Sequence, residues 1–138
     1  MDDIRFQYAA LAPEPERQKI VLKLGSKDAV VGGKAYKLDV APFALNGTTY
    51  LPLRFVTEAM GAKVDWNQKL NRVTVLRGNR FMEMWLNKKQ FILNGSKKEA
   101  AVAPISKGGR TLVPVRLVSE QLGLVVKWEG KTSTVTVE

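Results

Sequence analysis

The stretch "KIVLKLG", Lys19 to Gly25, alternates apolar and polar residues, the period of a strand with one face buried. "RFMEMWLN", Arg80 to Asn87, does the same. Each is followed by two apolar runs split by a pair of residues that tolerate positive φ, Gly32-Gly33 in one case and Asn94-Gly95 in the other. Such pairs favour a tight hairpin turn. Asn46-Gly47 and Gly108-Gly109 repeat that signal before "TTYLP" and "RTLVP". The period then changes. In "PLRFVTEAMG" the residues Leu53, Val56 and Met60 share one helical face with Phe55 and Ala59 beside them, and in "PVRLVSEQLG" Val115, Val118 and Leu122 do so. Pro52 and Pro114 suit a first helical turn, and Gly61 and Gly123 stand where a left-handed residue ends a helix. Two short strands around a polar turn follow each helix, closing on "VTV" at Val73–Val75 and Val135–Val137.

These signals come twice because the chain is a tandem duplication. "TYLPLRFVTEAMGAKVDW", from Thr49, aligns without a gap on "TLVPVRLVSEQLGLVVKW", from Thr111, at an offset of 62 residues. Pro42, Arg54, Glu58, Trp66 and Lys69 recur as Pro104, Arg116, Glu120, Trp128 and Lys131. The expected fold class is α+β. It comprises an N-terminal extension over residues 1–18, one repeat over 19–76 and a second over 80–138. Each repeat is expected to be a mainly antiparallel sheet wrapped on one short helix, the pair being pseudo-twofold related. A unit of roughly 60 residues is marginal alone, so the copies should share a large interface or exchange strands. "LRGNR", Leu76 to Arg80, is too short to be a free tether.

Composition narrows the chemistry. Among 138 residues there is no Cys and no His. Disulfides, thiolate nucleophiles, the commonest general base and the commonest transition-metal ligands are therefore missing. The 45% hydrophobic content is ordinary for a soluble domain, and no apolar run is long enough to span a membrane. The first residues lack the basic and apolar regions of a signal peptide, so no export signal is expected in this chain. The net charge of +9 is uneven: residues 77–138 hold 11 Lys and Arg against 5 Asp and Glu. The surplus gathers at Lys88, Lys89, Lys97, Lys98, Lys107 and Arg110, near predicted turns, where it would attract polyanions or simply keep the surface solvated.

The duplication sorts the other candidates, since a residue kept in both copies answers first to the shared fold. Arg54 with Glu58 and Arg116 with Glu120 are spaced to pair across one helical turn. They are read as structural helix pairs in preference to anion sites. Trp66 and Trp128 could be sugar platforms, but their recurrence favours indoles closing one end of the core. Trp85 faces Lys23 in the alignment. It is predicted on the polar face of its strand, either as a binding aromatic or covered by the other copy or the N-terminal segment. Met60, Met82 and Met84 replace Leu122, Ile20 and Leu22, which marks core packing and not a soft metal site. Asp28, Asp39 and Asp65 align with Gln90, Ala101 and Lys127, and no phosphate loop, nucleophile elbow or metalloprotease helix occurs. No catalytic residue, metal ligand or cofactor is expected.

The run "GKAYKLDVAPFALNGTTYLPLRFVTEAMGAKVDWNQKLNRVTV" resembles the copper amine oxidase N-terminal domain-like family, or stalk domain, and residues 80–138 resemble it again. The resemblance implies a five-stranded antiparallel sheet around a helix, with copper and quinone chemistry left to other domains. It also implies an exported, non-enzymatic accessory module of secreted or cell-surface proteins of Gram-positive bacteria. The function expected is binding of a cell-wall glycan or anionic polymer through the basic turns of the second copy, with Trp85 as a stacking surface. The alternative is a protein–protein or oligomerisation module. Nucleic-acid binding rests on charge alone.

Overall fold

The computed structural model describes residues 18–138; most of the N-terminal extension, residues 1–17, lies outside the described residues. Sixteen elements follow one another in the order β1 (Ile20–Lys23), β2 (Asp28–Val31), β3 (Lys34–Lys37), β4 (Phe43–Leu45), β5 (Thr48–Pro52), α1 (Leu53–Ala59), β6 (Lys63–Asn67), β7 (Arg72–Arg77) and then β8 (Arg80–Trp85), β9 (Gln90–Leu93), β10 (Ser96–Glu99), β11 (Ile105–Lys107), β12 (Arg110–Pro114), α2 (Val115–Leu122), β13 (Val126–Glu129), β14 (Thr134–Val137). The fold is α+β and its strand pairings are antiparallel.

The four paired turn signals form as expected. Gly32-Gly33, Asn46-Gly47, Asn94-Gly95 and Gly108-Gly109 all have positive φ at both residues, the backbone that matches a two-residue loop to strand twist. Gly61 and Gly123 take positive φ just past the two helices. The prolines differ from expectation. Pro52 and Pro114 are N-caps, and they are also the last residues of β5 and β12, in register with Leu112 and Tyr50. At a strand's end the missing N–H takes no bond from the ladder, so one residue serves both elements.

The sheets cross the boundary between the copies. One five-stranded sheet runs β13-β14-β1-β2-β3, so the closing hairpin of the second copy completes the opening strands of the first. The other runs β10-β9-β8-β7-β6, the reverse exchange, and a four-stranded sheet, β11-β12-β5-β4, joins the middles of both copies. The registers correspond: Val73 faces Met84 as Val135 faces Leu22. Leu51 faces Val113, its own equivalent, and both have no exposed surface. A sheet wrapped on its own helix within each repeat is thus replaced by sheets of mixed origin. The physical reason is the short link: Gly78 with positive φ turns β7 directly into β8, and Arg77 pairs with Arg80. A strand that leaves by a two-residue turn must lie beside the strand that follows it.

The core is one cluster drawn from both copies. Ile20, Leu22, Met82 and Met84 come from the sheets, Val56, Met60, Val118 and Leu122 from the helical segments, and each is at most 1% exposed. The methionines occupy core positions, as their aliphatic counterparts predicted. Arg77 lies among them, 9% exposed, because the alternation of Val73 and Val75 carries it to the inner face of β7. Its guanidinium donates to the carbonyl of Met60 at 3.3 Å and to that of Leu122 at 3.0 Å, so one cation closes the C-terminal ends of both helices, where the helix dipole favours positive charge. Arg80 donates to the Gln121 carbonyl at 3.0 Å.

Two outcomes test this architecture. Arg77→Met should lower stability by about 3 kcal/mol, since two charge-assisted bonds are lost and buried carbonyls are left bare, and should reduce Tm by roughly 10 °C. Arg77→Lys, which cannot span both carbonyls, should fall between, as calorimetry will show. Second, residues 18–78 expressed alone should give no cooperative monomeric melt, and mixing with residues 79–138 should restore one. A half-chain that melts cooperatively as a monomer would contradict the exchange.

Candidate binding cleft

The hairpin of β11 and β12 belongs to the second copy but lies against the first. Its Gly108 sits within contact of Val40, such that an added Cβ would come to 3.1 Å from Val40 Cγ2. Arg110 donates through Nε and Nη2 to Asp39 Oδ2 at 2.8 and 2.7 Å. The Lys107 ammonium stands 4.2 Å from the centre of the Phe43 ring, which itself stacks on Tyr50. Between this hairpin, α1 and β6 opens a cleft of 810 Å³. Arg54 and Glu58 from α1, Trp66 and Gln68 beyond it, and Asp39 with Arg110 opposite form its polar lining.

Within the cleft the cations differ in how far they are occupied. Arg110 is bidentate on one carboxylate oxygen. Lys37 pairs with Asp28, and this ammonium, as hydrogen-bond donor and as charge, holds the Asp28 carboxyl below its usual range. Arg54 donates to the Val64 carbonyl at 3.3 Å, and its Nε lies 4.0 Å from Glu58 Oε2. That helix pair therefore forms at long range, and both side chains stay half exposed. Arg116 and Glu120 make no ion pair within 4.0 Å, although both line a smaller cleft of 430 Å³ at the equivalent place in the second copy. There Ala101 and Thr48 stand where Asp39 and Arg110 stand in the first, so no ion pair builds up its wall.

The indoles depart from expectation. Trp66 is 42% and Trp128 53% exposed, so neither closes the core. Both lie on edge strands, β6 and β13, near the ends of their sheets, and the core is filled from the central strands without them. Trp85 is half-buried in register with Arg72, whose guanidinium meets Glu83 at 3.7 Å; it lines neither cleft. Of the predicted basic residues, Arg110 lines the larger cleft. Lys88 and Lys89 are exposed on the connection between β8 and β9, and Lys97 and Lys98 are exposed on β10, all outside both clefts.

Sequence reasoning passed over three residues that matter here. Asp39 lacks an acidic counterpart in the other copy, yet it is what fixes Arg110. Trp66 recurs, which points to the core, yet it is exposed. Arg77 belongs to the short link, although the alternation through Val73 and Val75 carries it inward.

The lining offers hydrogen-bonding groups and one open aromatic face. Copper would find no His or Cys donor anywhere in the sequence, and among the described residues no three acidic side chains cluster to hold a metal ion. No helix among the described residues is long and apolar enough to cross a membrane. No functionally curated protein matches the chain. The family model for the copper amine oxidase N-terminal domain matches residues 11–70 and 30–137, two overlapping segments that agree with two copies of one unit. The chain belongs to the copper amine oxidase N-terminal domain family.

Proposed function

We propose that this chain is a non-catalytic accessory module of an exported bacterial surface protein, and that it holds a cell-wall glycan in the larger cleft. The observation that carries the reading is the exposed Trp66 indole in an 810 Å³ cleft lined by Arg54, Glu58, Asp39 and Arg110. A flat apolar ring surrounded by fixed polar groups suits a pyranose, whose faces present C–H groups and whose rim presents hydroxyls. Lys88 and Lys89 on the β8–β9 connection and Lys97 and Lys98 on β10 add long-range attraction toward anionic wall polymers. In this reading a pseudo-twofold through the Leu51–Val113 pair relates the copies, and the second, smaller cleft is the diverged counterpart of the first.

A specific feature favours a second reading, a protein-binding or self-association surface. Leu76 and Phe81 face each other across β7 and β8 and are 43% and 41% exposed. Sedimentation velocity over a wide concentration range addresses it: a strict monomer, with Leu76→Lys behaving like the parent, would remove self-association.

Retention on purified cell walls tests the first reading. Trp66→Ala should lower retention about tenfold, equivalent to roughly 1.4 kcal/mol, at both low and high salt. Replacing Lys88, Lys89, Lys97 and Lys98 together by Gln should weaken retention at low salt only, because screening removes their contribution above it. Retention of the Trp66 variant equal to the parent's would refute the cleft as the contact.

A further inference from the structure

Resting on the glycan reading above, we infer that the sugar taken by the larger cleft carries a carboxylate, which Arg54 reads while the ring lies on Trp66. Arg54 and Trp66 are placed for this by one strand. Val64 and Trp66 are two residues apart on β6, so they share a face about 6.8 Å apart along the strand. The Arg54 guanidinium is tethered at 3.3 Å to the Val64 carbonyl, and both it and the Trp66 indole line the cleft.

Among the cleft's cations, Arg54 has donors left over. A guanidinium offers five N–H groups, and one of these is on the Val64 carbonyl. The approach to Glu58, 4.0 Å, is well beyond the roughly 2.7–2.9 Å of a charge-assisted hydrogen bond. The pair is Coulombic and leaves the planar fork open, with the Arg54 side chain 60% exposed. Arg110 is closed through two donors on Asp39 and Lys37 is paired with Asp28, so the charge of each is met at contact distance by a carboxylate of the protein. A planar fork with free parallel donors matches a carboxylate better than a hydroxyl. Glu58 then acts as a competitor: its charge partly neutralises Arg54 and repels an acidic ligand.

Calorimetry with trigalacturonate and its methyl ester separates the charge from the ring, because the two differ only at the carboxylates. The whole chain should bind the acid about tenfold tighter than the ester, and the difference should shrink at high salt. Arg54→Gln should erase that preference, bringing the acid down to the affinity of the ester for the same variant, with an unchanged melt showing that the exposed side chain was not holding the fold. Glu58→Gln should widen the preference for the acid over the ester severalfold. Equal binding of acid and ester by the parent, or a preference that survives Arg54→Gln, overturns the inference and leaves the glycan reading standing. Binding of neither oligomer, with no retention on cell walls, overturns both.

Discussion

Neither copy of the repeat can close its own core, and the rest of the molecule follows from that. The turn at Gly78 makes β7 and β8 neighbours, which commits the closing hairpin of the first copy to the opening strands of the second. The mirrored pairing of β14 with β1 completes the exchange. Each five-stranded sheet then borrows two strands, and the apolar faces that a lone unit would leave in water meet in one cluster. For units of roughly 60 residues, which bury too little surface alone, this shared burial is the main source of stability.

The exchange also concentrates a problem at its centre. Both helices end near the β7–β8 hairpin, and the last carbonyls of a helix have no partner within it. Arg77 resolves both ends with one group, reaching Met60 and Leu122 through bonds 3.3 and 3.0 Å long. A buried guanidinium so well placed ties helix ends of the two copies together and helps to specify one arrangement.

Crossing of the chain between copies also creates the cleft. The β11–β12 hairpin carries Arg110 from one copy to Asp39 of the other, and that pair walls the larger opening beside α1. At the equivalent position Thr48 and Ala101 cannot form such a pair, and the opening is about half the volume. Two copies of one unit thus present unequal surfaces. The Asp39–Arg110 pair is one of the differences between them, while the exposed Arg54 and Trp66 that line the larger cleft belong to the shared pattern.

By itself the sequence determined the local conformations: strand alternation, four positive-φ turns, two glycine-ended helices and a duplicated unit are all readable from residues close together in the chain. It determined as well that Met82 and Met84 would be core, because alternation sets the face of a strand. Tertiary structure alone decided which strands pair between the copies, that Trp66 and Trp128 would fall on edges beyond the core, and that Arg110 would meet Asp39. The reason is physical. Turn and period preferences act over a few residues, whereas exposure of an edge indole and closure of an ion pair between residues 39 and 110 depend on how whole sheets are assembled, which recurrence in a sequence does not encode.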